Sequence, residues 1–330
     1  MISRSRSERR AVPVEVSVVS PIYGCAGCLE ELVHSIKAAL GSLGVSYEVI
    51  LVDDASPDGS WSRIEEITRV ESNVKGIRLS RNFGQHAAIS AGLEATQGRW
   101  VVVMDCDLQD PPASIPDLYR AAIASDSEVI FARRMNRKDS TAKRLSSWGF
   151  FRLLTWLTGM PQDAREANFG IFKRNAIDAV VSMPERERSF PLLIKWSGFR
   201  RTSIDIEHAQ RADGKSSYTL KKLLKLATGI ALGYSEKPLK IVALCGILCS
   251  VVALAFVTFA VIRWFEGDVQ VAGFTTIIAS IWLIGGLTLF SLGVVGLYIG
   301  QVFRNVQGRP SFIVAESIAH SDTDVDRTDA

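Results

Sequence analysis

Five short apolar runs rich in β-branched residues divide the first part of the chain: Val14–Ser20, Tyr47–Asp53, Val74–Ser80, Trp100–Met104 and Glu128–Ala132. Stretches within them such as Val49–Val52 (VILV) and Val101–Met104 (VVVM) are apolar continuously rather than in alternation, as strands covered on both faces are. Each run is separated from the next by a segment whose apolar residues recur at helical spacing. The pattern therefore predicts an α/β domain, a parallel sheet with helical crossovers. Beyond about Pro238 the character changes. Leu239–Ile262 is long enough to span a bilayer, and Val271–Val302 is a second, slightly overlong run that can tilt or extend into the interface. Before them, Tyr218–Tyr234 alternates Lys with Leu and Ile at helical spacing and reads as an amphipathic helix on a membrane surface. The expected organisation is a basic flexible N-terminus (1–13), an α/β domain (14–213), a juxtamembrane amphipathic region (214–238), two spans within 239–303 (about 239–263 and 271–302) and a polar, acidic tail (304–330) that is disordered.

Charge orients this arrangement. The net charge of the 330 residues is only +3, but Arg4, Arg6, Arg9 and Arg10 cluster at the N-terminus and more basic residues lie between Lys215 and Lys240. That distribution suits a membrane-facing patch better than a nucleic-acid surface. No apolar run precedes Ala11, so no secretory signal is expected and the first domain is placed in the cytoplasm. Lys221, Lys222, Lys225, Lys237 and Lys240 precede the first span and Arg304 and Arg309 follow the second, while the connector 263–268 is short with little net charge. The positive-inside rule then puts both termini in the cytoplasm. The five cysteines have no framework spacing, as in a reducing compartment. Cys25 and Cys28 do form a C-x-x-C after the first strand. A redox pair or half a zinc site can be read there, but two small residues opening a helix explain it more simply.

Polar residues collect where the strands end: Pro21-Ile22-Tyr23, Asp53-Asp54, Ser80-Arg81-Asn82-Phe83-Gly84, Asp105-Cys106-Asp107 and Arg133-Arg134. In open parallel sheets ligands bind beyond the carboxyl ends of the strands. Asp105, Asp107 and Gln109 follow the buried run VVVM and offer hard oxygen ligands to one Mg²⁺ or Mn²⁺, which keeps open positions for substrate phosphates. Asp53 also suits the ribose-binding acid of a dinucleotide-binding dehydrogenase. However, no G-x-G-x-x-G follows the first strand, and no G-x-x-x-x-G-K-[ST] marks a P-loop.

SVVSPIYG, LVDDASPDGS, SRNFGQHAAISAGLEATQG and VVVMDCDLQDPP, in this order and spacing, resemble the inverting glycosyltransferases of family 2, in particular the dolichyl-phosphate mannosyltransferase-like branch and its bacterial polyprenyl-phosphate sugar transferases. The resemblance covers about residues 14 to 235 and extends to the two C-terminal spans. It implies a glycosyltransferase A fold, Rossmann-like and mostly parallel, followed by interfacial helices and two transmembrane helices. It further implies a nucleotide-diphosphate sugar donor, UDP-linked by the two-span tail, and a polyprenyl phosphate acceptor such as undecaprenyl phosphate, at the cytoplasmic face of a bacterial inner membrane. A homotetramer in contact with membrane lipid is implied as well.

Carried onto this sequence, Pro21 and Tyr23 match the segment that packs the nucleotide base, and Asp53, with Asp54 beside it, the acid that holds base or ribose. Asp105 matches the acid near ribose and metal, and Asp107 and Gln109 the direct metal ligands. Arg133 matches an arginine on the acceptor phosphate, Lys143, Arg144 and Ser147 fall where relatives place further phosphate contacts, and Arg211-x-x-Gly214-x-Ser216-x-Tyr218 matches a segment closing over the site near the membrane. The catalytic set is then Asp105, Asp107 and Arg133. Cys25 stands where relatives often carry an acid, Asn168 where an Asp is common, and Ser217 where a Lys is usual. A phosphomonoester has a second pKa of about 6, so its attack on the anomeric carbon needs no general base, and a single displacement predicts inversion. Two alternatives stand beside this reading. A processive polysaccharide synthase is one, although its Q-x-x-R-W motif has only Leu192-Leu193-Ile194-Lys195-Trp196 as a counterpart. A non-catalytic membrane-anchored scaffold is the other.

Overall fold

The computed structural model describes residues 13–134, 166–183, 189–206, 235–265 and 273–320, with 149, 152, 155, 156 and 159 between them. Two compact units result. The first is built on one eight-stranded sheet in the order β7-β5-β6-β4-β1-β2-β3-β8. Its strands are β1 (Val16–Ile22), β2 (Tyr47–Asp53), β3 (Val74–Leu79), β4 (Trp100–Val103), β5 (Val129–Arg134), β6 (Glu166–Lys173), β7 (Arg201–Ile206) and β8 (Val314–Ala319). β1 to β4 run parallel, as expected.

Helices cover both faces, which is why β1 is buried along its whole length. On one face Val16, Val18, Leu51, Val102 and Ile130 pack with α1 (Leu29–Gly41), α2 (Ser60–Val70) and α4 (Ile115–Ala124). The other face carries α3 (Gln85–Ala95), α5 (Arg174–Val181) and α6 (Phe190–Trp196). α3 lies unusually close: a Cβ on Gly92 would sit 2.4 Å from Val19 Cγ1 and 3.1 Å from Val52 Cγ2. That approach fixes the start of α3, and hence Gln85, against the ends of β1 and β2.

Two strands depart from a purely parallel sheet. β6 runs antiparallel between β4 and β5, and β8 antiparallel along β3. β6 is buried through Phe169-Gly170-Ile171-Phe172 and tolerates no side chain at Gly170, where a Cβ would lie 2.7 Å from the Ile130 carbonyl oxygen. β8 overturns the expected disorder of the tail at Val314–Ala319. Its sequence VAESIA is polar enough to look unstructured. Yet the ladder partners the edge of β3, and Ile318 packs against the core where Gly76 leaves room.

At the end of the sheet opposite the polar strand ends, a buried carboxylate ties four segments together. Glu48 Oε1 accepts from the Ser17 hydroxyl at 2.7 Å and the Gln97 amide at 2.6 Å, and Oε2 from Lys75 Nζ at 2.8 Å. Burial alone would push this carboxyl up, but the three donors outweigh it and hold it below the usual range. A depressed folded pKa means that the unfolded chain binds more protons. The stabilisation is thus complete above the unfolded value, about 4.3, and is lost as pH falls through the folded one. Glu48→Gln should cost about 1–2 kcal/mol at pH 7, and the gap to wild type should shrink below about pH 4. Thermal unfolding across pH checks this.

The second unit contains α7 (Lys237–Phe265) and α8 (Phe274–Val306). Both are long and apolar enough to cross a membrane, with mean hydropathy 2.5 over Lys237–Phe256 and 1.9 over Leu283–Val306. α7 exceeds its expected span (about 239–263) by two residues at each end, whereas α8 starts three residues after the expected 271 and ends four beyond the expected 302. Leu248, Leu254, Leu283 and Leu289 on their surfaces are each more than 60% exposed, as lipid-facing side chains are. The Tyr298 hydroxyl donates to the Ser235 carbonyl at 2.7 Å, tying the far part of α8 to the start of α7. The amphipathic segment 218–234 lies outside the described residues.

Candidate active site

The ends of β1, β2 and β4 and the start of α3 enclose a pocket of about 370 Å³, lined among others by Pro21, Tyr23, Asp54, Gln85, Asp105 and Asp107. Tyr23 is 55% exposed and free to pack on a flat ring. Gly24, at φ +68°, turns the chain after it. The segment after β2 is held by its own side chains. The Gly24 amide donates to Ser56 Oγ at 3.3 Å, the Ala26 amide to Asp58 Oδ2 at 3.0 Å, and the Ser60 hydroxyl to Asp58 Oδ1 at 2.6 Å. Burial would raise the Asp58 carboxyl, but these donors prevail and lower it.

The paired acids of β2 do different work. Asp53 is fully buried and does not line the pocket: Oδ1 accepts from the Ser56 amide at 3.1 Å, and Oδ2 lies 3.8 Å from Arg78 Nε. Asp54 reaches across to the loop after β3. Its Oδ1 accepts from the Phe83 amide at 2.7 Å and its Oδ2 from the Gly84 amide at 2.8 Å. Burial pushes its carboxyl up against the pull of these two donors. Arg81 stacks 4.2 Å from the Phe83 ring, stiffening the same loop.

At the end of β4, Asp105 Oδ1 accepts from Gln85 Nε2 at 2.5 Å. Asp107 Oδ1 accepts from the Gln109 amide at 3.2 Å, an Asx-type turn. Between them Leu108 has φ +56°, a left-handed conformation that costs a β-carbon residue roughly 1–2 kcal/mol and folds the chain back for that contact. Asp105 and Asp107 both line the pocket, whereas Gln109 does not. Among the described residues no third His, Cys, Asp or Glu joins them in a closed cage. Two carboxylates on an open pocket fit Mg²⁺ or Mn²⁺ that completes its shell with ligand oxygens, and do not fit a metal enclosed by protein.

Arg133, at the end of β5, stands apart from the pocket. It faces Glu166 of β6 and Asp205 of β7 in register, and its Nε is paired with Asp205. Glu166 pairs with Lys195 Nζ at 2.5 Å, and that nitrogen lies 5.5 Å from the Phe131 ring centre. Lys143, Arg144, Ser147, Arg211, Gly214, Ser216 and Tyr218 lie outside the described residues.

Residues 17–179 match the sequence model of the family Glycosyl transferase family 2. Over 314 residues the chain is 34% identical to the undecaprenyl-phosphate 4-deoxy-4-formamido-L-arabinose transferase of Aeromonas hydrophila, covering 93% of this chain and 95% of that one. The chain belongs to glycosyltransferase family 2. It is also 30% identical over 304 residues to an uncharacterized glycosyltransferase of Synechocystis, with 92% and 95% covered. Among solved structures, a mannosyltransferase from Pyrobaculum calidifontis in complex with GDP-Man and Mn²⁺ is similar over 90% of each chain, at 15% identity and a TM-score of 0.42.

For this glycosyltransferase, sequence reasoning missed Gln85 and the division of labour between Asp53 and Asp54. The signal for Gln85 was its place one residue after Arg81-Asn82-Phe83-Gly84, at the first turn of α3 beside a strand end. Burial pushes the imidazole of His86, next in line, below its usual range. Nor is the C-x-x-C of the transferase a reactive dithiol. The interaction of the Cys25 thiol with the Cys106 side chain, together with burial, pushes that thiol far up, and burial raises Cys28 to about 11; Cys25 Sγ also donates to the Cys106 carbonyl at 3.3 Å. Cys25 instead ties β1's end to the segment carrying both pocket aspartates. With a thiolate fraction of about 1 in 10⁴ at pH 7, Cys28 should react with iodoacetamide at least about tenfold more slowly than free cysteine. Peptide mass mapping of briefly alkylated, folded protein checks this.

Proposed function

We propose that this glycosyltransferase moves a single sugar from a nucleotide-diphosphate sugar, UDP-linked, to a polyprenyl phosphate at the cytoplasmic face of a bacterial inner membrane, with inversion. The observation that carries the reading is the pocket itself: two half-buried aspartates, an orienting glutamine and a gripped loop at the carboxyl edge of a parallel sheet, in a chain with two long apolar helices. The acceptor class is supported by the Aeromonas relative, an undecaprenyl-phosphate 4-deoxy-4-formamido-L-arabinose transferase matched nearly end to end.

In this reading Tyr23 packs the base, and Asp105, held by Gln85, faces ribose and diphosphate. Asp107, with Gln109 beside it, holds Mg²⁺ or Mn²⁺, which when bound neutralises charge growing on the leaving diphosphate. The acceptor phosphate is already ionised at neutral pH and attacks without a base. Arg133 exchanges Asp205 for that phosphate and aligns it. Lys143, Arg144, Ser147, Arg211 and Ser216 add further phosphate contacts. The buried pairing of Lys195 with Glu166 leaves that lysine poorly presented to an acceptor, which weighs against a processive synthase. The topology has support in connectivity: β8, beyond the second apolar helix, pairs with β3 of the catalytic sheet, so two crossings return the chain to the side it left. The homotetramer is part of the same proposal, tested by the mass of the detergent-solubilised particle.

The deciding experiment is a transfer assay on purified full-length protein with Mn²⁺ or Mg²⁺, undecaprenyl phosphate and a panel of UDP- and GDP-sugars, read by nucleotide release and by mass spectrometry of the lipid. A lipid monophosphosugar, abolished by chelator, supports the reading. Donor hydrolysis without lipid product points to another acceptor, and inactivity of a folded protein across the panel sinks it.

A further inference from the structure

We propose that β8, the strand reached only through the second apolar helix, is a working part of the donor site and holds the loop that grips Asp54. Only residues 307–313 separate it from α8. Its ladder on β3 pairs Lys75 with Ala319, Gly76 with Ile318, Ile77 with Ser317, Arg78 with Glu316 and Leu79 with Val314. It then continues one step past the strand, where the Ser80 amide donates to the Ile313 carbonyl at 2.9 Å. Ser80 is the residue at which the loop begins. Three and four residues on, Phe83 and Gly84 give their amides to Asp54, and Gln85 gives its side chain to Asp105. β8 thus stands at one end of a short run of hydrogen bonds that finishes on two carboxylates of the pocket.

The seat for β8 is built into the sequence. Gly76 leaves a notch that Ile318 fills together with Ile64 of α2: a Cβ at Gly76 would lie 2.5 Å from Ile64 Cγ2 and 2.9 Å from Ile318 Cγ1. The His320 ring meets the Thr68 carbonyl at 3.3 Å near the end of α2, closing the strand's far end. Apart from Ile318, β8 is exposed along its length. A six-residue edge strand with one anchoring side chain belongs to the least stable elements of a sheet, so its docking can be shifted without unfolding the rest. When β8 leaves, the Ser80 amide and the outer edge of β3 lose their partners, and the loop is fixed at its α3 end alone. Donor affinity then falls with the fraction of molecules whose loop is in place. The consequence is a link between membrane anchoring and donor binding, carried by Ile318 as a positioning residue.

This inference rests on the nucleotide-sugar reading, and the test separates the two. Full-length wild type, Ile318→Ala, Ile318→Asp and Ile318→Val are compared in detergent by hydrogen exchange over residues 74–84 and by UDP binding with Mn²⁺. Release of β8 in Ile318→Asp should speed exchange at Ser80, Phe83 and Gly84 and, with the docked fraction lowered to about a tenth, weaken UDP about tenfold. Ile318→Ala should fall between, Ile318→Val should match wild type, and the KM for undecaprenyl phosphate should move less than about twofold. The inference is overturned if exchange at Ser80 rises while Phe83, Gly84 and UDP affinity stay as in wild type. Were Ile318→Asp to unfold, the Ile318→Ala variant decides by the same criteria. Should wild type bind neither UDP nor GDP, the donor reading fails, and exchange at Phe83 and Gly84 still decides whether β8 holds the loop.

Discussion

Asp107→Ala is expected to slow transfer by about a thousandfold, roughly 4 kcal/mol at the barrier, while the unfolding temperature stays within about 2 °C of wild type. The asymmetry follows from where Asp107 sits. It lies beyond the end of β4, half-buried at the pocket, and its carboxylate accepts the amide of Gln109 in a turn that water can also satisfy. Little of the core depends on it. The proposed reaction, by contrast, needs negative oxygen at that point to hold the cation beside the leaving diphosphate, and the neighbouring carboxylates are already engaged: Asp53 by Ser56 and Arg78, Asp54 by two amides, Asp105 by Gln85. Measured kcat with saturating donor and acceptor, beside a melting curve, checks the prediction. Gln85→Ala is the informative companion. It leaves both aspartates but frees Asp105 from its 2.5 Å partner, so donor KM should rise about tenfold with a smaller change in kcat. A normal kcat in Asp107→Ala would remove the metal assignment.

Much of this was legible beforehand, for identifiable reasons. β1 to β5 announce themselves because strands covered on both faces are rich in β-branched apolar residues, and the pocket acids because polar residues at the ends of such strands have little structural reason to be there. β6 was not legible. Its central Gly170 and the neighbouring Asn168 break the apolar pattern, and only the approach of the Ile130 carbonyl shows why a glycine is required. β8 was hidden differently: Val314–Ala319 has one core-facing side chain, and what makes it a strand is an edge offered by β3 more than two hundred residues earlier. Local pattern has no access to a partner so distant. The roles of Asp53 and Asp54 illustrate the same limit, since adjacent residues on a strand point to opposite faces and composition cannot tell which one meets the pocket. Arg133 was found as a strand-end cation, but its pairing with Asp205 depends on β7, which the sequence did not reveal.

That division between the paired acids yields the other large effect. Asp54→Ala should cost about 2–4 kcal/mol of stability and, in the fraction that remains folded, weaken donor binding by about a hundredfold. Both amides it holds, those of Phe83 and Gly84, are left facing a site only 2% exposed to solvent, where each unsatisfied donor costs about 1–3 kcal/mol. The loop escapes part of that cost by moving away, which is the source of the binding defect: Asn82, Gly84 and Gln85 line the pocket, and all three move with it. Asp54→Asn should do less harm to packing but still satisfy only one amide, because its NH₂ meets the other donor head-on. Asp53→Asn provides the contrast. Its carboxylate meets one amide and a guanidinium 3.8 Å away and stands outside the pocket lining, so its loss should be felt mainly as a stability change of about 1–2 kcal/mol. Melting curves with and without UDP and Mn²⁺ separate the two quantities, because ligand-induced stabilisation reports affinity independently of the starting point. If Asp54→Ala retained the full ligand shift of wild type, the loop after β3 would have to hold its shape without the carboxylate, and its grip on Asp54 would be a contact of the fold alone.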